Sequence, residues 1–103
     1  MVIRGAIHKI NLGEVKRGHE QRGRRYGVIL SVTNWSMVTV VPTSTGAQDS
    51  PWRPAIELMD QRTLLMVDQI RSLDTNYVLE SVGFLSAAEQ AVLDQAIRRY
   101  LRL

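Results

Sequence analysis

The sequence predicts a mainly β domain with one C-terminal helix, arranged as a small, partly open barrel that the helix covers. The chain has 103 residues, of which 45% are apolar, so it suits one compact domain with a modest core. Short β-branched runs alternate with turn residues over most of its length, and helical periodicity is confined to the C-terminal end. We therefore expect a single domain over residues 1–103, whose active site is a surface cleft or a shared interface.

Six strands are predicted from the apolar runs and the turn residues between them. The run MVTVVP, residues 37–42, is the richest in β-branched side chains and is the clearest strand. Pro42 is expected to end its hydrogen-bond ladder, because proline has no backbone N–H. The segment that follows, TSTGAQDSPWRP, consists of turn residues. The other strands are expected at residues 5–12, 25–31, 55–58, 63–69 and 78–85.

A helix of about four turns is predicted at the C-terminal end. Ser86 and Glu89 have the spacing of a capping box, in which each side chain satisfies a backbone N–H group of the first turn. The apolar side chains after this box recur at helical spacing, so we expect one face of the helix to pack on the sheet. These side chains are Val92, Leu93, Ala96, Ile97 and Leu101.

Positive charge is concentrated near the start of the chain. The formal charge is +3 with a sequence pI near 9.8, and seven of the 13 Lys and Arg side chains fall within the first 25 residues. Only two carboxylates, Glu14 and Glu20, lie in the same stretch. Such asymmetry favours a polyanionic partner, with a solvated surface as the alternative. The basic side chains are those of Arg4, Lys9, Lys16, Arg17, Arg22, Arg24 and Arg25, the last five in a loop with three glycines.

Composition excludes several classes of function. The chain has no cysteine, so it has no disulfide framework, no thiol nucleophile and no zinc site of the CxxC type. His8 and His19 share no ligand spacing and the carboxylates are scattered, so we expect no metal and no cofactor. There is no N-terminal apolar segment and no long apolar span, which predicts a soluble, cytoplasmic protein.

Four segments occur in a familiar order: GHEQRGRRYGVILS, VVPTST, VDQIRSLD and VGFLSAAEQAVLDQAIRRYL. In order and spacing they are similar to the MazF/PemK/Kid group of toxin endoribonucleases, and the resemblance covers nearly the whole chain. It implies an SH3-like barrel of the type shared with the gyrase poison CcdB, and a homodimer. It also implies metal-independent cleavage of single-stranded RNA at short sequences, restrained by a cognate acidic antitoxin.

Cleavage of this kind begins with attack of the ribose 2′-OH on its own phosphate and leaves a 2′,3′-cyclic phosphate and a 5′-OH. The protein must orient the nucleophile, assist proton transfer and stabilise the charge of the phosphorane. Arg25 occupies the position of the family's active-site arginine, and a guanidinium fork suits phosphate oxygens. The alternative is a surface arginine at a strand start. The proline that follows this arginine in the family is Tyr26 here.

Asp68 resembles the general-base candidate of the Kid branch. The alternative is a carboxylate that caps a turn or pairs with Arg71. Two residues before this aspartate the same branch has an arginine that acts as an acid, but this chain has Met66. Either the proton for the leaving oxygen comes from Arg25 or from His19, since an unperturbed imidazole titrates near neutral pH, or turnover is slow.

A hydroxyl is expected beside Arg25, since the family carries a catalytic threonine just after the third strand. Aligning Pro42 with the family proline without a gap puts Ser44 at this position, whereas a one-residue deletion would put Thr43 there. Thr45 takes the role if the chain bends after Pro42. We favour Ser44, because the task is one hydrogen bond to a phosphate oxygen, which a serine also makes.

Further residues are expected to contact RNA. Trp52, next to Arg53, lies in a predicted loop where a base could stack on it. Glu20 and Gln21 hold the basic loop or contact a base edge. The full set of expected contacts is His19, Glu20, Gln21, Arg22, Arg24, Trp52, Arg53 and Gln69.

Two other functions fit the same barrel. One is a non-catalytic module that binds nucleic acid or protein, which needs the basic loop but neither Asp68 nor the hydroxyls. The other is a gyrase poison, which acts through a C-terminal tail. We rank this last, because the chain ends in RRYLRL without the expected tail pattern.

Overall fold

The computed structural model describes residues 2–13, 23–33 and 36–103. Among them the prediction of a mainly β fold with one C-terminal helix is confirmed. The helix α1, Ala87–Leu101, follows seven strands and two short 3₁₀ turns, Val67–Gln69 and Thr75–Tyr77. The strands are β1 Ala6–Asn11, β2 Arg24–Val32, β3 Met37–Ser44, β4 Ala55–Leu58, β5 Gln61–Leu65, β6 Arg71–Asp74 and β7 Val78–Phe84.

Strand β3 is the centre of the sheet. The strands pair antiparallel in the order β4-β5-β3-β2-β1-β7, and β6 also pairs with β3. One edge of β3 faces β2, so its other edge must accept two partners in succession. Its first half, Met37 to Val40, pairs with β6, and its end, Thr43 and Ser44, pairs with β5. The 3₁₀ turn Val67–Gln69 connects these two partners.

The prediction that Pro42 ends the ladder of β3 is wrong. Pro42 lies within the strand, opposite Gly27 of β2, and its carbonyl accepts a hydrogen bond from the Met66 N–H at 2.9 Å. The Pro42 carbonyl faces the edge away from β2, and a backbone N–H at the same residue would face that edge too. A proline is tolerated here because pairing with β6 ends at Val40 and pairing with β5 begins at Thr43, so neither partner needs the missing N–H. The strand therefore continues into Thr43 and Ser44.

The strand predicted at residues 63–69 is also wrong in part. Strand β5 begins earlier, at Gln61, and ends at Leu65, and a 3₁₀ turn replaces its second half. Strand β6, Arg71–Asp74, was not predicted. Its four residues contain only one buried apolar side chain, Leu73, so neither a β-branched run nor alternation marks it in the sequence.

Two apolar clusters hold the elements together. The first lies between the sheet and α1 and combines strand residues such as Val28 and Val41 with Leu93 and Ala96 of the helix. The second is formed by the opposite faces of the same strands, with Ile29 and Val40 at its centre. Neighbouring residues of β2 and β3 thus point into different clusters, as strand geometry requires.

The helix begins as its sequence predicts, but Val92 and Leu101, which were expected on its packed face, are exposed. Ser86 accepts a hydrogen bond from the Glu89 N–H, and the Glu89 carboxylate accepts one from the Ser86 N–H, so the capping box is confirmed. Arg102 ends the helix in the left-handed conformation, with φ of 58°. None of the helices in the described part of the chain has the length and apolar character needed to span a membrane.

Two adjacent helix positions test how much α1 contributes to the core. The side chain of Leu93 is 0% exposed, whereas that of Val92 is 51% exposed. We expect Leu93→Ala to lower the free energy of unfolding by about 2–5 kcal/mol through the cavity it leaves. Val92→Ala should change it by no more than about 0.5 kcal/mol. Urea unfolding followed by circular dichroism measures both, and equal losses would contradict the packing described for α1.

Candidate active site

The candidate site lies where β2 and β3 separate. Their last paired residues are Gly27 and Pro42. Beyond this pair, residues 24–26 of β2 pair only with β1, while the end of β3 pairs with β5. The Tyr26 carbonyl accepts a hydrogen bond from Thr43 Oγ1 at 2.8 Å. A side-chain hydroxyl therefore bridges the two strands at the point where the ladder between them stops.

Arg25 and Ser44 lie on the same face of the sheet at this opening. Residues directly opposite each other on paired strands share a face, and the face alternates along each strand. Arg25 lies two residues from Gly27, and Ser44 lies two residues from Pro42, so both share the face of that last pair. The side chain of Arg25 is half-buried. The geometry is consistent with the gap-free alignment, which selects Ser44.

The three hydroxyls of the segment have different roles in the fold. Thr43 is buried, and its proton is donated to the Tyr26 carbonyl. Ser44 is also buried, and its Oγ accepts hydrogen bonds from the Gly46 and Ala47 N–H groups at 3.3 and 3.1 Å. Because both of these bonds use the oxygen as acceptor, the Ser44 O–H remains a donor for a ligand. Thr45 is exposed.

The basic loop starts beside this opening. Gly13 and Gly23, with φ of 83° and 75°, bracket it. The Gly23 N–H donates to the Gly13 carbonyl at 2.6 Å, and the Leu12 N–H donates to the Gly23 carbonyl at 2.9 Å. Arg24 is exposed directly after this closure. The expected contacts His19, Glu20, Gln21 and Arg22 lie outside the described residues.

Asp68 does not pair with Arg71 but with Arg53, in a two-pronged ion pair. Arg53 Nε donates to Asp68 Oδ1 at 3.1 Å and Arg53 Nη2 to Oδ2 at 2.8 Å, while Nη1 donates to the Gln48 carbonyl at 2.9 Å. The hydrogen bond to Asp68 raises the pKa of Arg53 above its ordinary value, against the effect of burial. Arg53 therefore joins the loop of residues 45–54 to the 3₁₀ turn that carries Asp68.

Trp52 lies in the same loop but its ring is part of the core. It packs against the cluster under α1 and makes an edge-to-face contact with Tyr100 of that helix, with centroids 5.7 Å apart. Its carbonyl accepts from the Val67 N–H at 3.1 Å. Most of the indole surface is thus committed to packing. A base-stacking role for Trp52 stays a prediction, and the same holds for the half-buried Gln69.

Met66 occupies a core position. Its side chain is 1% exposed, so a basic residue at this position of the present fold would be buried. Within residues 2–13, 23–33 and 36–103, no three His, Asp or Glu side chains are grouped so that they could hold a metal ion.

The Arg53–Asp68 pair can be compared with an exposed pair, in which Asp49 of the same loop contacts Arg62 of β5. The side chains of Arg53 and Asp68 are 19% and 22% exposed, against 64% and 70% for Arg62 and Asp49. We expect a double-mutant cycle of Arg53→Gln and Asp68→Asn to give a coupling free energy of about 1–3 kcal/mol. The exposed pair should give about 0.2–1 kcal/mol and lose it in high salt. Equal couplings would show that the first pair does not hold the loop.

Comparison with known proteins assigns the family. Residues 3–101 match the family described as PemK-like, MazF-like toxin of type II toxin–antitoxin system. The chain is 49% identical over 106 residues to a candidate toxin of Mycobacterium tuberculosis, with all of both chains covered. It is 34% identical over 119 residues to the endoribonuclease MazF9 of the same organism, covering 100% of this chain and 98% of that protein. A mycobacterial endoribonuclease solved with its cognate antitoxin has the same fold, at a TM-score of 0.80 and 19% identity, with 100% of this chain and 97% of that chain covered. The chain therefore belongs to the PemK-like, MazF-like family of toxins of type II toxin–antitoxin systems.

Proposed function

We propose that the chain is an endoribonuclease that cuts single-stranded RNA at short sequences in the cytoplasm and so inhibits translation and growth. The observation that carries the proposal is the placement of Arg25 and Ser44 on one face of the sheet, at the opening between β2 and β3. The relative named endoribonuclease MazF9 supports the reaction class. The chemistry is attack of the ribose 2′-OH on the adjacent phosphate, without a metal.

Arg25 supplies positive charge to the phosphorane, and Ser44 supplies one hydrogen bond. A guanidinium donates through several N–H groups to phosphate oxygens that gain charge in the transition state. Because Ser44 Oγ is held by two backbone N–H groups, its O–H is positioned before the substrate arrives. In this assignment Thr43 is a positioning residue, since its proton holds β2 to β3.

Asp68 is assigned a positioning role as well. Both of its oxygens accept hydrogen bonds from Arg53, and taking a proton from the 2′-OH would neutralise the carboxylate and so weaken this partly buried ion pair. The intact ion pair instead fixes the loop of residues 45–54, which directly follows Ser44. The 2′-OH proton then passes to water or to a neutral imidazole of His19, and Arg25 or protonated His19 donates a proton to the leaving 5′ oxygen.

We further propose that the chain is a homodimer neutralised by an acidic antitoxin segment. The antitoxin would cover the basic surface near Arg24 and Arg25, where opposite charge makes association fast and sensitive to salt. Support comes from the mycobacterial endoribonuclease of the same fold, which was solved in complex with its cognate antitoxin.

The function is tested by incubating the purified chain with a long, poorly structured RNA in excess EDTA and mapping the 5′ ends. We expect cuts at one short sequence with 5′-OH products. Cleavage should persist in EDTA, because neither the sequence nor the described residues offer a set of metal ligands. Arg25→Ala should reduce the single-turnover rate by about 100-fold or more while leaving the thermal unfolding midpoint unchanged. Activity that is lost in EDTA and returns with Mg²⁺ would contradict the mechanism, and full activity of Arg25→Ala would place the site elsewhere.

The hydroxyl assignment is tested by single-turnover cleavage of Ser44→Ala, Thr43→Val and Thr45→Val. We expect the largest fall in cleavage rate for Ser44→Ala. Thr45→Val should cleave at a rate near that of the unmodified chain, because the Thr45 side chain is exposed. Thr43→Val should lower the free energy of unfolding by about 1 kcal/mol, because it leaves the Tyr26 carbonyl without its donor. A loss confined to Thr43→Val or Thr45→Val, beyond what stability explains, would shift the register by one residue.

A further inference from the structure

A groove, which we call the Tyr26 groove, is centred on the face of β2 that carries Tyr26 and Arg24, opposite the face of Ser44, and Arg25 lines its edge at the start of the strand. Its volume is about 270 Å³, close to the lower end of small-ligand pockets, which is near 300 Å³. Tyr26 is paired with Lys9, and Arg24 is paired with Asn11, so the side chains of Tyr26, Lys9 and Arg24 share a face. The groove is lined by Lys9, Arg24, Arg25, Tyr26, Leu79 and Glu80.

An irregularity in β7 shapes one wall of this groove. His8 of β1 is paired with Ser81, and Ile10 is paired with Val78, so Leu79 and Glu80 together oppose a single residue, Lys9. Such a bulge redirects side chains and leaves a backbone group without its ladder partner. Here the Leu79 carbonyl accepts a hydrogen bond from Nδ1–H of the buried His8, at 2.8 Å. The buried imidazole thus fixes the bulge, and the bulge brings Glu80 to Lys9.

The groove combines cations, an aromatic ring and one carboxylate. Lys9 and Glu80 approach to 3.4 Å, but their side chains are 46% and 68% exposed, so this pair is weak and can exchange for a ligand. Tyr26 is half-buried and packs against the core cluster under α1, which holds its ring in place before any ligand arrives. A fixed ring flanked by Lys and Arg is the composition of a site for an unpaired nucleotide.

We infer that the Tyr26 groove binds one unpaired nucleotide of the RNA, next to the nucleotide whose phosphate meets Arg25. Tyr26 stacks on the base, and Lys9 and Arg24 contact phosphate. Arg24 and Arg25 are consecutive on β2 and point to opposite faces, so a strand that passes over the end of β2 reaches both. That this nucleotide flanks a cut rests on the proposed function, whereas its binding does not.

Glu80 makes the groove selective among bases. A carboxylate only accepts hydrogen bonds, so it favours a base that presents an amino group and disfavours uracil, whose only donor on that edge, N3–H, lies between two carbonyl oxygens that the carboxylate repels. Adenine, cytosine and guanine each offer such an amino group. A glutamine at position 80 would both donate and accept, and would therefore remove the discrimination against uracil.

The test uses fluorescein-labelled 2′-fluoro octanucleotides of adenine, cytosine or uracil, whose sugars have no 2′-OH and so cannot be cut. Anisotropy titrations should give about fivefold or tighter binding of the adenine and cytosine probes than of the uracil probe. Glu80→Gln should abolish this preference, whereas Glu57→Gln, an exposed carboxylate on β4, should retain it. Equal affinity for all three probes in the unmodified chain, or an equal effect of Glu57→Gln, would overturn the inference.

Variants of the aromatic residue separate stacking from packing. Tyr26→Leu should lower the affinity for the adenine probe about fivefold or more. Tyr26→Phe and the control Tyr77→Leu should bind this probe as the unmodified chain does. Thermal unfolding shows whether Tyr26→Leu remains folded; if it does not, the Glu80→Gln comparison decides alone. Arg24→Ala should reduce the slope of log affinity against log salt by about 0.7.

Two results distinguish this inference from the proposed function. If the chain shows the base preference at the groove but never cuts RNA, nucleotide binding at the groove is supported and the proposed nuclease activity is refuted. If the chain cuts RNA but its Tyr26→Leu and Glu80→Gln variants bind all three probes as the unmodified chain does, nucleotide binding at the groove is refuted and the nuclease activity is supported. If these variants lost affinity only for an acidic antitoxin peptide, the groove would be a protein-binding surface and the inference would be wrong.

Discussion

The separation of β2 from β3 after Gly27 and Pro42 determines most of what is distinctive in this molecule. Strand β3 pairs with β2 along one edge and with β6 and then β5 along the other. Its last two residues pair with β5 but no longer with β2. An open end between paired strands normally exposes backbone groups that need partners. The Thr43 hydroxyl satisfies one of them, the Tyr26 carbonyl. The opening is thereby stable enough to hold Arg25 and Ser44 on its rim.

Much of this fold could be predicted from the sequence, and the failures share a physical cause. The β-branched run of β3 and the capping box of α1 are local signals, and both were read correctly. Strand β6 exists because β3 offers it an edge, and four residues with one buried side chain give no local signal for that. Pro42 was misjudged because its effect depends on whether another strand needs its missing N–H, which the sequence does not state.

Some residues of the candidate site could also be predicted from the sequence, and others could not. Arg25 is marked by its motif and by its place at the end of a basic segment. The partner of Asp68 is not marked, because Arg53 lies 15 residues away within a run of turn residues, and only the folded loop brings the two together. Likewise, nothing near His8 in the sequence indicates that its ring supports a bulge in β7. The grouping of Lys9, Tyr26 and Glu80 around one groove is likewise not marked in the sequence, because it depends on the pairing of three strands.

The closure of the basic loop has a consequence for how such proteins diverge. The hydrogen bonds between Gly13, Gly23 and Leu12 use backbone atoms alone, and the two glycines supply the positive φ angles. These backbone bonds join the two ends of the loop. The identity of the side chains at residues 14–22 can therefore change without altering these particular bonds. Duplicated copies of one scaffold can acquire different ligand preferences by substitution in this segment, while the barrel evolves under separate constraints.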